Sequence, residues 1–149
     1  MLLRNRTDKK RKGAAIIEAA LVLPLFLLLI MGIMEYGRFL MIRHVVDNAA
    51  REGARYAVVH TYDKVTADVV DKVNTSLGSQ AGTLTTKTVA VYEAHATTGA
   101  NVGDWKNAKF GGLIAVEING DYHPVLAGFL FMPNTFHIKT IATMRSEAN

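Results

Sequence analysis

Apolar positions along this chain follow three rhythms. From Ala14 to Met34 they are nearly continuous, and the only charge among these 21 residues is Glu18. At about 1.5 Å rise per residue such a run spans about 30 Å, the thickness of a bilayer core. Further on, Val46, Ala49, Ala50, Gly53, Ala54 and Ala57 recur at three- and four-residue steps, so the spacing predicts that the helix continues to about His60. Unbroken, it would be roughly 70 Å long. Pro24 removes one backbone bond and predicts a local kink or loosening, which membrane helices tolerate. A second, amphipathic helix is predicted over Lys64–Leu77, with Val65, Val69, Val70, Val73 and Leu77 on one face and Gly78 and Gly82 ending it.

After that the period becomes two. Thr88–Tyr92, Leu113–Ile118 and Phe136–Arg145 read as strands. Ile114, Val116 and Ile118 point inward in the second, and Phe136, Ile138, Thr140, Ala142 and Met144 share a face in the third. Asn119-Gly120-Asp121 is either a tight turn or the continuation of strand two to Tyr122. Thr97–Lys109, polar and glycine-bearing, reads as a surface loop. The expected fold class is α+β: a long N-terminal helix, transmembrane in its first half, then a second helix and a small antiparallel sheet of about three strands on the helix's outer half.

Charge sharpens this picture. Arg4, Arg6, Lys9, Lys10, Arg11 and Lys12 stand against Asp8 alone before the apolar run, whereas the rest of the chain holds 11 Lys/Arg against 12 Asp/Glu. A nucleic-acid-binding protein needs a basic face on a folded domain. Here the basic block abuts an apolar helix, which the positive-inside rule explains: N-terminus in the cytoplasm, the rest outside. Nucleic acid is therefore not an expected partner, and membrane lipid is. The chain has no cysteine, which excludes disulfides, thiol catalysis and thiolate metal sites.

Three readings of the N-terminal segment compete. A cleavable secretory signal has a shorter apolar core and a small-x-small cut site, but here Ile33-Met34-Glu35-Tyr36 follows. A plain transmembrane anchor fits the length and leaves Glu18 unexplained, unless Glu18 simply reaches the cytoplasmic interface. An acid inside a membrane helix costs about 2.5–3.5 kcal/mol on insertion scales and is a functional candidate by default. In the third reading, Arg11-Lys12-Gly13-Ala14-Ala15-Ile16-Ile17-Glu18 resembles a type IV prepilin signal, a basic leader ending in Gly followed by apolar residues and a Glu.

The blocks Gly13 to Pro24, Gly32-Ile33-Met34-Glu35-Tyr36-Gly37-Arg38 and Asn48 to Ala57, in that order within the N-terminal third of this chain, resemble TadE-like proteins, minor pseudopilins of Tad/Flp pilus systems. That resemblance implies a leader over 1–13, cut by a prepilin peptidase between Gly13 and Ala14. A helix over 14–60 follows, membrane-spanning at about 14–34, and an extracytoplasmic α+β domain over 61–149. It implies an inner-membrane subunit of a pilus, whose partners are other pilins, the peptidase and the inner-membrane assembly platform. It also gives Glu18 a role: pairing with the new α-amine of Ala14 in a neighbouring subunit, which would set axial register. A permanently anchored accessory protein of the same machine is the alternative.

The small-residue stripe Ala49, Ala50, Gly53, Ala54 and Ala57 lets another backbone approach closely, either a partner helix or the protein's own sheet. Asp47–Arg51 and Glu52–Arg55 have the spacing of intrahelical ion pairs. Glu35 and Arg38, at i,i+3, mark the outer membrane boundary, where they either pair or snorkel. No catalytic constellation is visible. His44, His60, His95, His123 and His137 are scattered, and P-loop, Gly-x-Ser-x-Gly and Gly-x-Gly-x-x-Gly motifs are missing. Asn101, Asp104 and Asn107 offer oxygens to calcium without EF-hand spacing, and Asn74-Thr75-Ser76 is a glycosylation sequon. The residues nominate neither cofactor nor metal, and the expectation is a non-enzymatic subunit.

Overall fold

The long helical rhythm forms one element. In the computed structural model, which describes residues 7–147, α1 runs without interruption from Thr7 to Val59. It starts before the expected Ala14 and passes through both Gly13 and Pro24. The leader residues Arg4 and Arg6 lie outside the described residues. Between Gly13 and Met34 nearly every α1 side chain is exposed, for instance Leu21 at 73% and Leu25 at 68%. From Ile42 onward one face is sealed: Ile42, Val46, Ala49, Ala50, Ala54 and Ala57 are fully buried. The helix therefore divides into a bare apolar half and a half that forms one wall of a core.

The second helix, α2, spans Thr66–Leu77. It begins two positions later than the apolar face suggests. Val65 is held extended (φ −108°, ψ 164°), and its amide donates to Asp68 Oδ2 at 3.0 Å. That bond satisfies an amide the helix start would otherwise leave open. Gly78 ends the helix at φ 54°, and its N–H closes onto the Asn74 and Thr75 carbonyls. Val69, Val73 and Leu77 are buried against α1.

Four antiparallel strands follow: β1 (Leu84–Ala94), β2 (Asn101–Gly103), β3 (Leu113–Tyr122) and β4 (Phe136–Arg145), in the order β2-β1-β3-β4. The strand count thus exceeds the three expected, because β2 forms inside the segment that reads as a loop. Its three residues are all exposed and carry no alternation to detect. β3 runs on to Tyr122, so Asn119-Gly120-Asp121 lies within a strand and not in a turn. Pairing runs from Leu84 opposite Tyr122 to Ala94 opposite Leu113, and from Leu113 opposite Arg145 to Tyr122 opposite Phe136. The inward residues of β3 are those the alternation selects, with Ile114, Val116 and Ile118 at 0% exposure. Between β2 and β3 the chain seats Trp105 in the core, and its indole N–H donates to Thr66 Oγ1 at 3.0 Å.

The small-residue stripe is covered by the protein's own elements. At Gly53 an added Cβ would overlap Val73 Cγ2 of α2 and lie 3.4 Å from Val116 Cγ1 of β3. The polar flank of α1 also turns to tertiary partners instead of pairing along the helix. Glu52 bonds Lys72 of α2 at 3.1 Å, and Asp47 accepts from Thr140 Oγ1 of β4 at 2.7 Å. Local i,i+4 pairs contribute only a few tenths of a kcal/mol, so a partner held by the fold displaces them.

Candidate functional site

Two regions of α1 carry the functional candidates. The first is the bare half. Gly13, Ala14 and Glu18 are all exposed there, and a Cβ at Gly13 would touch nothing within 4 Å. Among the described residues Glu18 has no hydrogen-bond or ion-pair partner within the chain. The helix of residues 13–59 is long and apolar enough to cross a membrane, and its most apolar window is 0% buried by the protein itself. If that half spans a bilayer, an acid on it is a functional candidate.

The second region is the junction between helix and sheet. Glu35 is only 5% exposed. Its Oε1 accepts a hydrogen bond from the Tyr122 hydroxyl and another from the Val125 amide at 3.3 Å. The Arg38 guanidinium lies over the Tyr122 ring, 5.9 Å from its centroid. The Glu35–Arg38 ion pair allowed by their spacing is therefore absent from the ion pairs among the described residues, because Tyr122 takes both side chains. Phe39 packs between Tyr122 and Phe136, with ring centroids 5.8 and 5.5 Å away. Sequence reasoning missed Tyr122 as the partner of Glu35. A lone tyrosine at a strand end carries no periodic signal, although a boundary acid is itself a reason to look for a donor.

Burial first, and the Glu35 carboxylate second, push the Tyr122 hydroxyl up from 10.0 to about 12. A phenol with a raised folded-state pKa contributes stability while it stays protonated. The contribution is complete below about pH 10 and disappears as pH rises towards 12. Tyr122→Phe is expected to cost about 1–2 kcal/mol at neutral pH. In detergent-solubilised full-length protein the gap between wild type and variant should stay constant to about pH 10 and then close. A gap that remains flat or widens up to pH 12 contradicts this role for the hydroxyl.

The weaker candidates resolve into structure. Asp104 accepts the Lys106 amide at 3.0 Å and Asn101 the Gly103 amide at 3.0 Å, so these oxygens brace their own turns. Asn74 of the sequon lies inside α2 and accepts from Lys87 Nζ at 2.7 Å. Among the described residues no group of three or more His, Asp or Glu could hold a metal ion.

Residues 13–55 match a family model described as TadE-like protein. No curated protein and no solved structure matches the chain. The matched segment is α1 from the foot of its apolar run through all but the last residue of its small-residue stripe, and it contains Glu18, Glu35, Arg38 and Gly53. The sheet and α2 lie outside it. Over residues 13–55, less than a third of its length, the chain is similar to TadE-like proteins.

Proposed function

We propose that this protein is a minor pilin or pseudopilin subunit of a Tad/Flp pilus system, acting by binding and geometry and not by catalysis. The observation that carries the reading is the bare half of α1. Its single charge, Glu18, has no partner within the chain among the described residues, in a segment that matches the TadE-like model. Such a surface suits lipid before assembly and other pilin helices after it. In this reading the N-terminus is cytoplasmic and the sheet domain extracytoplasmic. A prepilin peptidase cuts after Gly13, and the new α-amine of Ala14 pairs with Glu18 of a neighbour. The exposure of Gly13 supports access by the peptidase. A permanently anchored accessory protein shares the topology but keeps its leader.

The N-terminus separates the two. Intact mass of the membrane-purified protein should correspond to a chain starting at Ala14 when a working prepilin peptidase is present. Without the peptidase, or with Gly13 replaced by a bulky residue, the full-length mass should return. Full-length protein in the presence of the active peptidase would remove the processed-pilin reading.

A further inference from the structure

The β3–β4 connection is built from the wrong residues for a loop in water. From Pro124 to Pro133 it reads Pro-Val-Leu-Ala-Gly-Phe-Leu-Phe-Met-Pro, without a charge. Three of its large apolar side chains are open: Val125 is 67% exposed, Phe129 72% and Phe131 98%. Single exposed apolar residues are ordinary, but a contiguous set marks an interaction surface.

Its position indicates what it meets. The loop folds back along α1 at the end of the apolar run. A Cβ on Gly32 would lie 3.8 Å from Leu130 Cδ2, and Val125 and Leu126 share a recess with Met31 and Met34. Gly32 precedes the end of the run at Met34 by about 3 Å of helix rise. If α1 spans a bilayer, Leu130 sits at the depth of the last turn within it.

The backbone suits the headgroup level, where water still reaches. Irregular chain deeper in a bilayer must satisfy every polar group internally, whereas four of the eight amides between Pro124 and Pro133 are held within the protein. Here the Phe129 and Leu130 amides donate to the Leu126 carbonyl at 3.0 and 3.1 Å. The Met132 amide donates to Ala127 at 3.1 Å, and the Val125 amide is held by Glu35. The buried Glu35 thus ties the loop to the helix at the boundary, leaving the two phenylalanines free.

We propose that residues 124–133 form a second membrane contact, with Phe129 and Phe131 inserted into the leaflet at the Met34 end of α1, so that helix and loop together fix the domain's tilt on the bilayer. Lipid is the occupant because the loop surface continues the lipid-facing surface of α1, and Phe and Leu are side chains that bury at the headgroup–acyl boundary. The proposal rests on α1 spanning the membrane.

The chain has no cysteine, so one introduced cysteine carries one fluorophore. Phe131→Cys, at a nearly fully exposed position, should leave the fold intact. Leu25→Cys reports on the span, and Thr97→Cys, exposed in the β1–β2 connection, reports on water. Each full-length variant is labelled and placed at low density in vesicles of phosphatidylethanolamine and phosphatidylglycerol, with dibrominated phosphatidylcholine added. The Phe131 label should be quenched by bromines near the headgroups and show several-fold less iodide quenching than the Thr97 label. Iodide quenching equal to that of Thr97, with Leu25 still lipid-quenched, overturns the loop contact alone. Shielding from iodide without bromine quenching means that protein covers the loop, which also overturns it. A Leu25 label open to iodide overturns the spanning helix and the loop contact together.

Discussion

Replacing Glu18 by Gln is expected to leave membrane insertion and cleavage intact and to weaken association with neighbouring pilins by at least about a hundredfold. Glu18 stands exposed on an apolar helix, with no partner inside the chain among the described residues. In water that arrangement is unremarkable, but in a bilayer or a helix bundle a lone carboxylate is costly. The proposed partner is the Ala14 amine of the next subunit, created only by cleavage. Removing one side of a buried charge pair leaves the other uncompensated, at about 3–5 kcal/mol. Since 1.4 kcal/mol is tenfold in an equilibrium constant, the loss should be plain in co-purification. A residue that merely reached the interface would tolerate Gln, which can reach it equally well. Wild-type assembly of a cleaved Glu18→Gln chain would therefore end the pairing role.

The second large effect belongs to Gly53. Helix propensity alone favours Ala there by about 1 kcal/mol. Packing opposes it, because the added methyl would overlap Val73 Cγ2. Val73 is fully buried and β-branched, so it has little rotamer freedom with which to yield. Overpacking of this kind costs about 1–3 kcal/mol. Gly53→Ala is thus expected to lower stability, Gly53→Leu to lower it further, and Val73→Ala to recover part of the loss by making room for the methyl. Denaturant melts of wild type, Gly53→Ala, Val73→Ala and the Gly53→Ala/Val73→Ala double variant form a cycle whose coupling should exceed about 0.5 kcal/mol. If Gly53→Ala proves more stable than wild type, the close approach of α1 and α2 is not what keeps glycine there.

Much of this architecture was legible because its signals are periodic. The apolar run, the stripe from Val46 to Ala57, the face of α2 and the alternation in β3 and β4 each repeat often enough to be read. The parts that escaped depend on single contacts between distant residues. β2 is three exposed residues paired to β1 by backbone alone, so side-chain pattern cannot reveal it. β1 extends back from Thr88 to Leu84 through an irregular register where Thr86 adopts φ 51°, and that break interrupts the alternation. The Glu35–Tyr122 contact joins residues 87 apart in the chain. The 124–133 loop was readable in principle, since ten uncharged residues from Pro124 to Pro133 are visible in the chain itself. Only the fold shows that they lie against Gly32.

Of the candidate site, the residues could be named but not their surroundings. Gly13, Ala14 and Glu18 were nominated by the resemblance to a prepilin signal, and the structure leaves all three exposed. Glu35 and Arg38 could be named from their place just after the apolar run, but not their contacts, because the side chain between them comes from β3.

Whether the bare half of α1 is an assembly surface is tested most directly by photo-crosslinking in cells. A photoreactive amino acid at Leu21, exposed and close to Glu18 on the helix, should yield a protein adduct containing a second pilin-type chain. That adduct should disappear when cleavage after Gly13 is blocked. Adducts to lipid alone, unchanged by the block, would contradict the account.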